Sequence, residues 1–282
     1  MHLFITGATG FVGSSFVRAA CRAGHRVSAL RRHGSVSRVD APEDVQWIDA
    51  ALDADLSGHL AGVDCVVHLA AHTPNPPYAA LDECLYWNVF ASAKLIQSAA
   101  AAGVVDFLVA GTCFEYGASA EGQTLIHPRS ELRPTLTYPV SKAAASIALL
   151  GLARQLKLRM QLLRIFQVFG EGEAATRFWP SLRRAALGGA DFPMSAGVQV
   201  RDFVDVADVA AQFLSALDFR NVEHGRPHVR NIGTGRASTL LEFAQHWWAH
   251  WGATGCLIPG TIGLRPGELA RLVPNVVDTY VA

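Results

Sequence analysis

The sequence has no excess of either charge: among its 282 residues, Lys plus Arg and Asp plus Glu both number 24. General attraction to nucleic acid or to an acidic membrane surface needs a surplus of basic residues, so neither is expected as a partner. Basic residues can still cluster locally around a phosphorylated ligand. The chain also lacks a charge-free apolar run of the roughly 18 residues that cross a bilayer, and no membrane span is expected. Its start has no basic stretch, and the apolar run Leu3–Ile5 stops at a glycine turn, unlike a secretory leader. Cysteine is scarce and odd in number: Cys21, Cys65, Cys84, Cys113 and Cys256. With no metal-type spacing and no small secreted frame, free thiols in a reducing cytoplasm are the expectation. Repeats and low-complexity linkers are missing too. Half the residues are hydrophobic, enough for one large core, or for one core with a smaller companion.

What the chain does have begins at its start. Leu3–Ile5 reads as a buried strand. Gly7, Gly10 and Gly13 follow at G-x-x-G-x-x-G spacing, and Phe16, Val17, Ala20 and Cys21 then recur at helical spacing up to Gly24. Strand, glycine turn and helix together make a phosphate cradle. Glycine lets the backbone approach a pyrophosphate without a Cβ clash, and the helix start offers free N–H groups and a positive dipole end. Such glycines also serve plain packing; their position between a strand and a helix is what a dinucleotide fingerprint requires.

Further strands are expected at Arg26–Leu30, Val45–Ile48, Asp64–Ala71, Asp106–Ala110 and Met160–Phe166, with helices at Tyr86–Ala102 and Tyr138–Lys157. The nearly unbroken apolar run after Asp64 suits a parallel strand buried on both faces. This alternation predicts an α/β fold, a Rossmann-like doubly wound parallel sheet binding a dinucleotide over residues 1–166. In residues 167–282, helical pieces at Phe178–Leu187, Val206–Leu217 and Thr239–His250 lie too far apart for regular alternation. They predict a smaller, mainly substrate-binding cap over the sheet's carboxyl edge, with segments returning to the sheet.

Two places bear on cofactor and chemistry. The end of the second strand lies beside the adenosine ribose in a dinucleotide fold; an acid there selects NAD and an arginine accommodates the 2′-phosphate of NADP. Arg31-Arg32 stands there with no acid nearby, which points to NADPH over NAD; the alternative is two solvated surface arginines. Asp49, one strand later, can accept from the adenine amino group or be an ordinary turn residue. Tyr138-Pro139-Val140-Ser141-Lys142 sets a phenol and an ammonium four apart on one helix face. A phenol ionises near pH 10, and a neighbouring ammonium lowers that value, so the pair can serve as general acid or base toward a carbonyl or alcohol. Thr112, just past the fifth strand, can hold the reacting oxygen or cap the turn.

Taken in order, Thr6–Gly13, His68–Ala71, Asn88-Val89, Gly111–Gly117, Tyr138–Lys142, Arg201–Val204 and Asn231–Gly235 resemble the extended short-chain dehydrogenase/reductases, the NAD-dependent epimerase/dehydratase group acting on nucleotide sugars. The resemblance spans nearly the whole chain. It implies catalytic Thr112, Tyr138 and Lys142. It implies a cofactor lined by Gly7, Thr9, Gly10, Phe11, Val12, Gly13, Arg31, Arg32, Asp49, Ala50, Leu69, Ala70, Ala71, Asn88, Gly111, Tyr138, Lys142, Ile165 and Val168. Substrate contacts are expected from Thr73, Thr112, Cys113, Glu115 and Gln167, and from Arg201 and Arg265 at the diphosphate of a nucleotide-diphosphate sugar. Helices Tyr86–Ala102 and Tyr138–Lys157 correspond to those that pair subunits in this group, implying a homodimer; the alternative is a monomer whose cap covers them.

The departures narrow the function. Dehydratases of the group place Asp-Glu after the threonine, where this chain has Cys113-Phe114. Its epimerases usually end the second strand with an acid, and an asparagine is common at the position of Gln167. The expected activity is therefore NADPH-dependent reduction of a nucleotide-linked 4-keto-6-deoxysugar. A redox-neutral nucleotide-sugar 4-epimerase is the alternative, and a non-catalytic dinucleotide-binding protein the second. No metal is expected: His246 and His250 share a helix face but lack the glutamate and third ligand of a metal site.

Overall fold

The computed structural model describes residues 1–264 and 267–282. The first elements are β1 (His2–Thr6), α1 (Phe11–Arg22), β2 (Arg26–Arg31), β3 (Gln46–Asp49), α2 (Ser57–Leu60) and β4 (Cys65–His68). Next come α3 (Leu81–Leu85), a π-helical turn (Tyr86–Ala91), α4 (Ser92–Ala101), β5 (Asp106–Thr112), α5 (Thr137–Gln155) and β6 (Arg159–Ile165). The remainder contains β7 (Gln167–Phe169), α6 (Phe178–Leu187), β8 (Phe192–Met194), β9 (Val200–Arg201), β10 (Phe203–Asp205), α7 (Val206–Ser215), β11 (His228–Ile232) and β12 (Ser238–Thr239). It ends with α8 (Leu240–His250), β13 (Leu257–Pro259), β14 (Arg271–Leu272) and β15 (Thr279–Val281).

Eight strands form one sheet in the order β15-β11-β6-β5-β4-β1-β2-β3. All pairings are parallel except that of β15 with β11. Strand side chains alternate between faces, and both faces here are covered. Leu3 and Ile5 meet Phe16 and Val17 of α1 and Phe213 of α7. Phe4 and Val66 point the other way, onto Leu95 and Ile96 of α4 and Leu149 and Ala153 of α5. Double burial is why the strand sequences run apolar without alternating. The fold is a Rossmann-like doubly wound sheet, and its strand order reverses between β1 and β4, where such sheets bind ligands. No helix among the described residues is long and apolar enough to cross a membrane.

Three local expectations need correction. Strand β4 stops at His68, and Leu69–Ala71 leave the sheet to pass the glycine turn. The helix expected from Tyr86 begins at Leu81 and is underwound into a π turn before α4. Helix Val206–Ser215 belongs to the sheet's own covering layer: its Phe213 meets Phe16 of α1 edge-on at 6.1 Å, and the chain then returns as β11 beside β6. The sequence hides this crossover because the strand before it, Phe203–Asp205, is only three residues long. Helices α6 and α8 with the short strands build the smaller remainder around Phe178, Trp247, Trp248 and Trp251.

Candidate active site

The glycine turn is built by close approach. Gly7 has φ +70°, and a Cβ on it would lie 2.5 Å from the Ala70 nitrogen and 2.6 Å from the Leu69 carbonyl carbon. A Cβ on Gly13 would lie 2.0 Å from the Gly7 oxygen, so α1 can cross β1 this tightly only with glycine there. Helix α1 starts at the exposed Gly10 with no side-chain cap. Its first-turn N–H groups, at Phe11 and Val12, are thus left for an external acceptor. Thr9, Phe11 and Val12 are half-buried along this rim, opposite Leu69 and Ala70. A cradle that any side chain would fill, ending on an uncapped helix, fits the pyrophosphate of a dinucleotide.

Behind the cradle His68 is fully enclosed. Thr6 Oγ1 lies 2.7 Å from its Nδ1 and Ser92 Oγ 2.8 Å from its Nε2. Burial, and secondarily the Lys142 charge, pushes its pKa down to about 3. Unfolding restores an ordinary imidazole, which takes up a proton below about pH 6.5, so this group's contribution to stability falls as pH drops from there toward 3. The expected loss is about 1.4 kcal/mol per pH unit. Glu173, pushed up to about 7 by burial, acts with the opposite sign above the ordinary glutamate range. The difference in urea stability between wild type and His68→Gln across pH 5–7 isolates the histidine; a pH-independent difference would refute its neutral burial.

At the end of β2 the structure corrects the expectation that no acid lies near Arg31: that acid is Asp49. They bind each other: Arg31 Nε reaches Asp49 Oδ1 at 2.9 Å and Nη2 reaches Oδ2 at 3.2 Å. The guanidinium also sits 5.0 Å from the Trp47 ring centroid. The guanidinium holds the Asp49 carboxyl below its usual range. Strand pairing sets Arg31 opposite Asp49, a register that single-strand reading cannot supply. Arg32 is exposed next to the pair, and the Ala50 nitrogen donates to the Arg31 carbonyl.

Tyr138 and Lys142 lie on the first turns of α5, both buried. Burial first, then the nearby charge of Glu115 and the Tyr78 phenol, holds Tyr138 well above the usual phenol range. Lys142 Nζ donates to the Ala110 carbonyl at 2.9 Å, and burial lowers its pKa. Lysine is thus anchored on β5, and the phenol stays protonated. Thr112 is also buried; its Oγ1 accepts weakly from the Phe114 nitrogen at 3.4 Å. The hydroxyl also lies within hydrogen-bond reach of the Cys113 thiol, and by rotating it can donate to a ligand.

Glu115 is not a substrate contact. It is completely buried, accepting from the Thr112 nitrogen at 2.8 Å, from Ser146 Oγ at 2.7 Å and from Arg164 Nε at 2.8 Å. Arg164 continues to the Tyr116 hydroxyl, which donates to Asn231 Oδ1 at 2.6 Å. Gly111 serves this network: a Cβ there would lie 2.8 Å from Glu115 Oε1 and 2.9 Å from Arg164 Cγ. Cys113 is buried among Tyr116, Ile126 and Phe166. Burial raises its thiol to about 12, against the opposing charge of nearby Arg201. Asn88 is likewise turned inward. Its Oδ1 accepts from the His72 nitrogen at 2.7 Å and its Nδ2 donates to Ser141 Oγ at 2.9 Å, tying the loop after β4 to α5.

A sequence model of the NAD dependent epimerase/dehydratase family matches residues 3–233. The chain belongs to that family. The UDP-glucose 4-epimerase of Corynebacterium glutamicum is 26% identical over 306 residues, 98% of this chain and 87% of that protein. A probable UDP-arabinose 4-epimerase of Oryza sativa subsp. japonica is 27% identical over 318 residues, 99% of this chain and 76% of the relative. Among solved structures, MoeE5 in complex with UDP-glucose and NAD superimposes with a TM-score of 0.83 at 30% identity, covering 98% of this chain and 90% of MoeE5.

In this epimerase/dehydratase family member the residues expected to meet substrate differ in burial and in their partners. Gln167, Val168 and Ile165 are half-buried at the junction of β6 and β7. Thr73 sits at φ +46°, its hydroxyl taken up by the Ala79 nitrogen and the Cys84 thiol. Arg201 is nearly buried and donates to the Val200 and Leu269 carbonyls at 2.8 Å, with Glu268 Oε1 at 3.4 Å. Arg265 lies outside the described residues.

Sequence reasoning missed Tyr78, whose ring centroid lies 5.5 Å from that of Tyr138. Its loop is pinned where Thr137 Oγ1 donates to the Ala79 carbonyl at 2.9 Å. The proline-rich stretch Thr73–Pro77 had no periodicity to reveal an inward-facing ring. Tyr78→Ala should admit water to Tyr138 and shift the pH profile of turnover downward by about one unit, whereas Tyr78→Phe keeps the ring and should shift it less. Equal profiles for all three proteins would remove Tyr78 from the site.

Proposed function

We propose that the chain is a nucleotide-sugar 4-epimerase working with a retained NAD. The carrying observation is the Arg31–Asp49 pair, with Nε–Oδ1 at 2.9 Å: the arginine that argued for a 2′-phosphate already has its carboxylate. The 4-epimerases among its relatives and the NAD held by MoeE5 support the same direction. Cys113-Phe114, where dehydratases of the family carry an acid pair, argues against dehydration.

A dinucleotide held by its pyrophosphate at the glycine cradle would supply, through its nicotinamide, a hydride acceptor and donor. The chain's part is proton handling and orientation. Tyr138 takes the proton of the sugar's C4 hydroxyl as that carbon is oxidised, and returns it to the C4 oxygen after the other face is reduced. Lys142 carries the positive charge that steadies the phenolate, and Thr112 Oγ1 donates to the reacting oxygen. Arg201 and the smaller remainder of the chain hold the nucleotide diphosphate. Phe90 and Ile147, 68% and 64% exposed on the π turn and α5, form the apolar face through which two copies would pair.

Exposed Arg32 favours the second reading, an NADPH-dependent 4-ketoreductase. Chromatography of the heat-denatured protein decides between them. Release of stoichiometric NAD, with interconversion of UDP-glucose and UDP-galactose and no net nicotinamide absorbance change, supports the epimerase. An empty protein that consumes NADPH with a nucleotide-linked 4-keto-6-deoxyhexose overturns it.

A further inference from the structure

Away from the glycine cradle, β11, the neighbour of the edge strand β15, carries an arginine whose Nε has no hydrogen-bond partner among the described residues. In β11, His228 and Arg230 flank the buried Val229 and so face the same side of the sheet. They border a cleft of about 300 Å³ with Gln161 of β6, Ser215 and Asp218 at the end of α7, and Asn221 beyond it. Arg230 Nε is buried in its wall without a hydrogen-bond partner. Other inward arginines are paired: Arg159 with Asp106, Arg164 with Glu115 and Arg201 with Glu268. For Arg230 burial lowers the pKa, and no acid opposes it. A half-buried guanidinium left unpaired is costly, and an oxyanion would relieve that cost with charge-assisted bonds.

The other groups around the cleft agree with an anion. Asp218 is its only acidic wall residue, and both its oxygens are bound by the Arg220 guanidinium. Burial, with Arg230 and Arg226 nearby and only Glu223 opposing them, pushes His228 below the usual imidazole range, leaving a ring that can donate a hydrogen bond. Asn221, Ser215 and Thr279 add an amide and two hydroxyls. The cleft lies toward the amino-terminal halves of β6 and β11, whereas Thr112 pairs with Ile165 at the carboxyl end of β6.

We propose that this cleft binds a phosphate group through the fork of Arg230, as inorganic phosphate or as a phosphate monoester. Guanidinium geometry matches the tetrahedral oxyanion, and the remaining donors suit its other oxygens. The site is independent of the reaction proposed above.

Titration calorimetry on the full chain, with excess NAD and UDP present to occupy the catalytic cleft, tests this. Inorganic phosphate should give one saturable event, weakened about tenfold or more in Arg230→Gln. Asn221→Asp, an exposed change that sets a carboxylate at the mouth, should weaken it similarly without touching the sheet. Turnover should be unchanged in both variants, so failure here leaves the catalytic proposal standing. Tighter binding of glucose 1-phosphate than of phosphate assigns a monoester; the reverse assigns the free ion. Absence of saturable binding at millimolar phosphate, or affinity unchanged in both variants, overturns the site.

Discussion

Glu115→Ala is expected to lower the free energy of unfolding by about 3–5 kcal/mol, measured by urea denaturation. The cause is Arg164: its guanidinium is nearly buried, and Glu115 is the carboxylate it faces, at 2.8 Å. Removing the acid leaves a cation in the core with only the Tyr116 hydroxyl and the Pro128 carbonyl. It also frees the Thr112 nitrogen and Ser146 Oγ. The double variant Glu115→Leu, Arg164→Met should recover much of that stability, because an apolar pair has no charge to strand. A double variant as unstable as the single one would show that the hydrogen bonds matter more than the charge. Turnover should fall in both, since Thr112 loses the anchor that aims it.

Tyr138→Phe should reduce kcat by about 10²–10⁴-fold while leaving dinucleotide content and fold intact. The ring keeps its packing against Tyr78, so only the proton-carrying atom is lost. The epimerase reading makes a further demand. Burial and neighbouring negative charge hold the Tyr138 phenol protonated, so taking a proton from a sugar hydroxyl becomes easier as pH rises. Wild-type epimerisation should therefore speed up from pH 6 to 9, while Tyr138→Phe should stay flat. A ketoreductase starts from the protonated phenol and should instead be level in this range. Undiminished turnover in Tyr138→Phe would sink both readings.

The elements that were legible in the sequence are those whose signal is local. G-x-x-G-x-x-G between an apolar run and a helical repeat placed the tight glycine turn, because a close backbone approach can be met by glycine alone. The apolar strands announced a sheet buried on both faces. Tyr138 and Lys142 were legible because four residues along a helix set a shared face.

What a residue's side chain finds across the sheet was not legible. Arg31 and Asp49 look like two independent cofactor contacts until the register of β2 against β3 makes them one ion pair. Glu115 reads as a polar residue of a substrate loop until β6 places Arg164 beside it. Asn88 carries a motif position, yet the π turn aims it at Ser141 and the loop after β4.

By itself the sequence determined the family's sheet, the glycine cradle and the Tyr138–Lys142 pair, since each depends on backbone geometry or on spacing within one element. The tertiary structure decided which charged and polar side chains remain available to a ligand. That depends on partners distant in sequence: Asp49 and Glu115 pair with arginines from neighbouring strands, while Arg230 Nε finds no partner among the described residues.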